Sequence, residues 1–143
     1  MPKPHGKPIG LQLAATSKAV GRAFNDRLAA AGGSLPTWLV LNALRAGEPR
    51  TQLELARAVG IEGPTLTRHL DGLEDAGLVR RVRDGADRRA VRVEATAKGE
   101  RLHATLLKTV IAFNGRLTAG IGEQELERLA GTLSRLEQNV RRS

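Results

Sequence analysis

The side chains of this sequence that could do chemistry are few and scattered. Its three histidines, His5, His69 and His103, stand far apart, and there is no cysteine to complete a metal site. No carboxylates are paired at a spacing suited to acid–base catalysis, and no glycine-rich phosphate loop follows a predicted strand. The sequence therefore predicts a protein that is not an enzyme and that uses no metal or cofactor. The lack of cysteine also favours a reducing cytoplasm.

Arginine is the chemically informative residue type. The chain has a formal net charge of +8 and a pI of about 11.2, which favours an anionic partner such as nucleic acid. Residues 51–95 are neutral overall, yet a short stretch within them sets six arginines against two aspartates: Arg80, Arg81, Arg83, Arg88, Arg89, Arg92, Asp84 and Asp87. Aromatic residues are only 2% of the chain, too few for the stacking surfaces that bind single strands, so double-stranded DNA is the expected partner.

The elements that must position these arginines can be predicted from the periodicity of apolar residues and from residues that cap helices or form turns. Apolar residues at helical spacing predict helices over about 9–31, 35–46, 51–59, 62–76, 96–119 and 123–142. Residues 78–83 and 90–94 alternate apolar and charged side chains around turn-forming residues, which predicts a β-hairpin. Helices followed by a two-stranded wing form a winged helix-turn-helix. The predicted fold is therefore mainly α with a small β-hairpin wing (α+β).

The winged helix can close on residues 34–95, which leaves the apolar faces of the terminal helices uncovered. We expect 1–8 to be a flexible basic arm without a secretory signal, 9–33 a dimerisation helix, 34–95 the DNA-binding domain and 96–143 further dimerisation helices. A heptad-like seam runs along the last helix: Leu126, Leu129, Leu133, Leu136 and Val140. Because such a seam would aggregate if left in water, we expect an interlaced homodimer. The alternative is that these helices pack on their own protomer.

The central third of the chain carries the motifs of a known family. The matching stretches are TQLELA at 51–56, GIEGPTLTRHLDGLEDAGLV at 60–79, DRRA at 87–90 and TAKG at 96–99. Through these residues the chain resembles the MarR family of bacterial transcriptional regulators, nearest to its SlyA-like branch, and the order of elements fits that family from about residue 9 to 142. Ala95 departs from the leucine usual at that position, which should loosen packing where the chain leaves the wing.

The helix predicted over 62–76 has the pattern of a DNA-recognition helix. With Leu66 and Leu70 on its buried face, Arg68 points to the opposite side, where it can bond to guanine O6 and N7. A slim first turn would bring free backbone N–H groups to the groove. We expect DNA contacts from Gly63, Pro64, Thr65, Thr67, Arg68 and His69. The pattern by itself leaves a solvated surface role for Arg68 equally open, and the resemblance favours the contact with DNA.

The resemblance also implies a contact from the wing. Arg89 would enter the minor groove, Asp87 would hold its guanidinium in place, and Arg88 would meet the phosphate backbone. The alternative is a salt-bridged hairpin turn without a ligand. For the strand arginines, contact with the DNA backbone and a solvated strand face are both open: Arg80, Arg81 and Arg83.

A small-molecule effector is a further implication of the resemblance. Family members often bind small aromatic acids or lipophilic anions between the dimerisation helices and the DNA-binding domain. Trp38 lies on the helix expected to border that crevice, and Arg22, Arg27 and His103 could supply polar contacts. The alternatives are core packing for Trp38 and an ordinary helix-surface role for His103.

These features together predict a sequence-specific, double-stranded DNA-binding transcriptional regulator that acts as a homodimer on a pseudo-palindromic operator. Repression is favoured over activation, and a small aromatic or lipophilic ligand would release the protein. We expect a cytoplasmic, nucleoid-associated protein without membrane segments. Two alternatives are a winged helix used for protein–protein contact, which the neutral charge of residues 51–95 supports, and a nonspecific architectural DNA binder.

Overall fold

Six helices and three short strands make up the part of the chain that the computed structural model describes, residues 6–45, 50–83 and 91–142. In chain order they are α1 (Ile9–Ala30), α2 (Leu35–Arg45), β1 (Arg50–Thr51), α3 (Gln52–Val59), α4 (Gly63–Asp75), β2 (Val79–Arg83), β3 (Val91–Ala95), α5 (Ala97–Leu117) and α6 (Glu123–Arg141). The predicted helices and hairpin strands are confirmed to within about two residues at most ends. The chain divides into two compact units, residues 1–110 and residues 111–143.

Local capping explains why the helix ends agree with the sequence. Ser34 Oγ accepts the N–H of Thr37 at 3.2 Å at the start of α2, and Thr51 Oγ1 accepts the N–H of Glu54 at 3.1 Å at the start of α3. The second contact is one half of a capping box. Gly60 ends α3 with a φ of 69°, in the left-handed region where a residue with a side chain is strained.

The core of the first unit joins the three inner helices to the sheet. Leucine and valine side chains from α2, α3, α4, β2 and β3 form one buried cluster: Val40, Leu41, Leu44, Leu55, Leu66, Leu70, Leu73, Leu78, Val79 and Val93. A second cluster, made of Leu28, Trp38 and Leu106, packs α1 and α5 against α2. The winged helix thus has a core of its own, and α1 and α5 pack on it chiefly through the second cluster.

The sheet has three antiparallel strands in the order β1-β3-β2, where the sequence predicted two. The third strand, β1, consists only of Arg50 and Thr51, which pair with Val93 and Arg92 of β3. Two residues are too few to show an alternating pattern, so this pairing is invisible in the sequence. Its effect is to make β3 the central strand, which is consistent with the complete burial of Val93.

The second unit contains the end of α5, a turn and α6. The turn is closed by a hydrogen bond from the N–H of Ile121 to the carbonyl of Thr118 at 3.0 Å. No residue of α6 is buried, and its apolar seam includes the exposed side chains of Leu129 (47% exposed), Leu133 (40%) and Val140 (72%). Among the described helices of both units, none is long and apolar enough to cross a membrane.

Candidate nucleic-acid interface

Helices α3 and α4 form a helix-turn-helix, joined through Gly60, Ile61 and Glu62. Helix α4 directs Leu66, Leu70 and Leu73 into the core, and Arg68 is exposed. Within the described ranges, Arg68 has no ion pair or hydrogen bond to another side chain. The orientation that the leucine spacing predicts is therefore present, with a cation on the side of α4 away from the core.

The first turn of α4 is slim and exposed at Gly63, Pro64 and Thr65. The first backbone bond of the helix runs from the N–H of Leu66 to the carbonyl of Glu62 at 2.9 Å. The N–H groups of Gly63 and Thr65 precede it, so neither has an acceptor within the helix, and proline has no N–H to satisfy. Glu62 makes no side-chain cap bond. This end of α4 thus presents two backbone donors and one carboxylate.

Thr67 is held from two sides. Its hydroxyl donates to the carbonyl of Gly63 at 3.0 Å and accepts a hydrogen bond from Nε2 of Gln52 in α3 at 3.3 Å. The hydroxyl hydrogen is therefore used inside the protein, which leaves a lone pair and the methyl group for a ligand. His69, two residues further on, is half-buried beside the leucine face. Gln52 was missed by the sequence analysis because its contact with Thr67 depends on how α3 packs against α4.

Arg81 of β2 bonds to α4 at several points. Its guanidinium lies 2.7 Å from Oδ1 of Asp71 and 3.6 Å from Oε1 of Glu74, and it donates to the carbonyl of Thr67 at 3.1 Å. The backbone N–H of Arg81 also donates to Oε2 of Glu74 at 3.1 Å. The solvated strand face left open for this arginine is therefore wrong, because its side chain is 20% exposed and is paired with carboxylates of α4. Its contact with the DNA backbone stays a prediction.

Of the wing, the structure describes the two strands β2 and β3. Arg80 of β2 pairs with Glu94 directly across on β3, with Nη2 and Oε1 2.9 Å apart, and Arg83 at the end of β2 is exposed. Arg80 is thus engaged on the strand surface, where a cross-strand pair of opposite charge is stabilising. The residues predicted to contact DNA from the wing lie outside the described residues: Asp87, Arg88 and Arg89.

Two of the four residues predicted for an effector pocket lie together. The rings of Trp38 and His103 are stacked, with centroids 5.1 Å apart and planes at 12°, and Nε2 of His103 lies 3.1 Å from Oδ1 of Asn42. Trp38 is only 8% exposed, as core packing requires. Arg22 is exposed on α1, and nothing in the described part of the chain joins it to this pair.

A small cleft opens beside His103, with a volume of about 130 Å³. It is lined by Leu41, Leu44, Arg45, Ala95, Gly99, Glu100 and His103. Burial lowers the pKa of His103 from its ordinary value, and the charge of Arg45 lowers it further, so the ring is neutral at pH 7. In the described segments, no three histidine, aspartate or glutamate side chains are grouped in a way that could hold a metal ion.

Several known proteins with this architecture are transcriptional regulators. A model of the MarR family matches residues 32–90. A MarR-family regulator from Silicibacter pomeroyi is 32% identical over 88% of this chain and 87% of its own, with a TM-score of 0.69. The chain belongs to the MarR family.

Two further solved structures extend the match over nearly the whole chain. The transcriptional regulator PA3341 is 38% identical, with 95% of this chain and 100% of that chain covered and a TM-score of 0.78. The transcriptional repressor CouR, bound to a 23-mer DNA duplex, is 30% identical, with 91% and 92% covered and a TM-score of 0.83.

Membership of the MarR family confirms the predicted winged-helix fold and the regulator class. MarR-family proteins are DNA-binding regulators and not enzymes, which agrees with the scattered histidines and carboxylates of this sequence. Placement near the SlyA-like branch stays a prediction. So do the individual roles of the recognition-helix residues, although α4 presents them on the surface in the expected arrangement.

Proposed function

We propose that this MarR-family protein is a repressor that reads a specific double-stranded DNA sequence with α4. The observation that carries the proposal is the uncommitted Arg68, exposed on a helix whose opposite face is locked into the core by Leu66, Leu70 and Leu73. A planar guanidinium held on a rigid helix is suited to bidentate bonding with guanine in the major groove. CouR, a repressor of similar fold, is bound to duplex DNA, which supports the same use of the fold here.

Residues of the first turn of α4 would place the helix in the groove. The backbone N–H groups of Gly63 and Thr65 suit a phosphate or base acceptor, and Pro64 keeps the approach narrow. Thr67 would offer its methyl group to thymine, because its hydroxyl hydrogen is already bonded to the protein. His69 lies at the margin of this surface. Sequence would be read chiefly by Arg68, and the other residues would fix the register.

The wing would add a minor-groove contact. We assign this role to Arg89, with Asp87 orienting its guanidinium and Arg88 on a phosphate, as the family resemblance implies. The described strands support the assignment only indirectly: β2 and β3 pair in register as far as Arg83 and Val91, so the segment between them starts from a fixed base.

A homodimer would present two copies of α4 to the DNA. Large apolar side chains are exposed on α1 and α6 and would be covered by a second copy of the chain: Ile9 (63% exposed), Leu11 (57%), Leu129 (47%) and Leu133 (40%). Two-fold symmetry would set the recognition helices about 34 Å apart, one turn of DNA, so the operator would be a pseudo-palindrome. A dimer covering a promoter in this way would block polymerase.

An effector would bind beside the Trp38–His103 stack. The cleft there measures about 130 Å³, close to the ~150 Å³ apolar cavity that can hold a benzene ring. Arg45 at its rim could pair with a carboxylate, which suits a small aromatic acid. Arg22 has no contact with this site and takes no part in the proposal.

The proposal is tested by selection from a library of random DNA duplexes with the purified protein. We expect an inverted repeat with half-sites about one turn apart. The affinity for it should fall by about 0.9 log units per phosphate contacted for each tenfold rise in salt concentration. A protein–protein module, favoured by the zero net charge of residues 51–95, would enrich no sequence and bind DNA weakly at all salt concentrations.

Arg68→Ala then separates a sequence reader from an architectural DNA binder. A reader should lose about 5- to 150-fold of its preference for the selected duplex per half-site, the equivalent of 1–3 kcal/mol. Arg101→Ala, which removes the same charge from an exposed position on α5, is the matched control and should keep the preference. Equal loss of affinity on selected and random DNA would instead identify a nonspecific binder.

A further inference from the structure

We propose that Arg81 is a positioning residue that sets the rotation and axial position of α4, and thereby the base pair that Arg68 meets. The inference rests on the proposed function, because it concerns how α4 reads DNA. Arg81 itself would touch no DNA. It would act through the helix that carries Arg68.

The partners of Arg81 are spread along one side of α4. Thr67, Asp71 and Glu74 are four and then three residues apart, so they lie on one face over two helical turns. The guanidinium of Arg81 lies 3.1 Å from the carbonyl of Thr67 and 2.7 Å from Asp71, and it forms a longer ion pair with Glu74 at 3.6 Å. Because its donors are fixed in a plane, these contacts restrain both sliding and turning of the helix.

The leucine face of α4 fixes which side of the helix is buried, but it does not by itself set the exact position of the helix. Apolar packing has no preferred direction, whereas a hydrogen bond to a carbonyl or carboxylate does. A small rotation or shift of α4 that keeps the leucines buried would still displace Arg68. A guanine contact made by two parallel hydrogen bonds is sensitive to such a displacement. The polar contacts from Arg81 therefore bear directly on which base Arg68 reaches.

Arg80, the neighbour of Arg81 on β2, differs from it in exposure and in its ion-pair partner. Its side chain is 61% exposed, against 20% for Arg81, and it pairs with Glu94 on the neighbouring strand rather than with α4. The two residues are adjacent on the same strand and carry the same charge. Arg80 is therefore a matched control for Arg81.

The experiment compares Arg81→Lys and Arg80→Lys on the duplex selected by the wild-type protein and on a random duplex of equal length. Both substitutions keep the charge, so the general attraction to phosphates is unchanged. A lysine ammonium carries all its donors on one nitrogen, so it cannot reproduce the planar, spread contacts of the guanidinium. We expect Arg81→Lys to reduce the ratio of the two affinities at least 10-fold and Arg80→Lys to leave it within 2-fold. An unchanged ratio for Arg81→Lys, at equal folded fraction, overturns the proposal.

A second variant distinguishes positioning from direct contact with DNA. Asp71→Asn combined with Glu74→Gln removes the carboxylates that hold Arg81 and makes the surface more positive. If Arg81 positions α4, the preference for the selected duplex falls despite the added positive charge. If Arg81 binds phosphate once freed, affinity rises on both duplexes and the preference stays, which overturns the proposal.

Coupling to Arg68 is the last readout, and a merely structural role would not affect it. In an Arg81→Lys background, Arg68→Ala should cost less preference than it costs in the wild type, because the contact is already misplaced. If the losses of preference in the two single variants simply add in the double variant, Arg81 and Arg68 are not coupled and the proposal is contradicted. If the wild-type protein selects no sequence, the proposed function and this inference fail together. If it selects one and Arg81→Lys keeps the same preference, only the inference about Arg81 fails.

Discussion

Gly99 is the position where a single methyl group should be most costly. It is buried in the first turn of α5, against the loop that leads from α4 to β2. A Cβ added there would lie 2.1 Å from the carbonyl oxygen of Leu78 and 3.1 Å from its carbonyl carbon. Both atoms belong to the backbone, so no side-chain rotation can relieve the collision.

The magnitude of the Gly99→Ala effect follows from the contacts that hold this junction. A normal carbon–oxygen contact is about 3.3 Å or more, so one backbone must move by roughly 1 Å. That movement breaks two hydrogen bonds of Thr96, from its N–H to Leu78 O at 3.0 Å and from its hydroxyl to Gly77 O at 2.6 Å. Two such bonds contribute about 2 kcal/mol, and overpacking adds about 1–3 kcal/mol. Alanine's higher helix propensity returns at most about 1 kcal/mol. The free energy of unfolding should fall by about 2–5 kcal/mol.

Urea unfolding followed by the fluorescence of Trp38, the single tryptophan, measures this loss. With a slope of about 1–3 kcal/mol per molar urea, the midpoint should drop by about 1 M or more. Protein concentration must be matched, since the stability of the proposed dimer would depend on it. Gly72→Ala is the control: nothing lies within 4 Å of its added Cβ, and the midpoint should stay or rise slightly. A wild-type midpoint for Gly99→Ala would refute the reasoning.

Three further predictions concern a titration, a cap and the seam of α6. Because the pKa of His103 is lowered in the folded protein, the unfolded chain takes up a proton first. The free energy of unfolding should be constant above about pH 6.5 and decline below it. The decline should be smaller in His103→Gln. Urea midpoints measured from pH 8 to 5.5 test both expectations. Thr51→Ala should cost about 1 kcal/mol by removing the cap on Glu54 N–H, and Thr51→Ser should restore it. Leu133→Lys should convert a dimer into monomers in sedimentation at micromolar concentration, with Glu125→Lys as the control that stays dimeric.

Features decided within a few residues could be predicted from the sequence. The cap at Thr51, the stop at Gly60 and the leucine face of α4 are all local, and each is found where the spacing placed it. The exposed position of Arg68 followed from the same periodicity. These features suffice to predict the winged helix and the exposed surface of α4 that we propose for DNA contact.

Features that depend on packing between elements could not be predicted. Strand β1 forms because Arg50 and Thr51 lie beside β3. A pattern of only two residues cannot predict this pairing. Arg81 meets α4 only because β2 returns beside that helix. The stack of Trp38 on His103 joins positions far apart in the chain, so the sequence could propose both residues for one site but had no means of showing that they touch.

The bond between Glu74 and the backbone of Arg81 also affects how the protein behaves in crowded solution. Strand β2 is an outer strand of the sheet, and outer strands with free N–H groups invite a strand from another molecule to add on. Here the carboxylate of Glu74 already accepts the outward N–H of Arg81, and Arg83 is exposed at the end of the strand. An incoming strand would have to displace that carboxylate and approach a charged side chain, so this edge of the sheet disfavours intermolecular β-pairing.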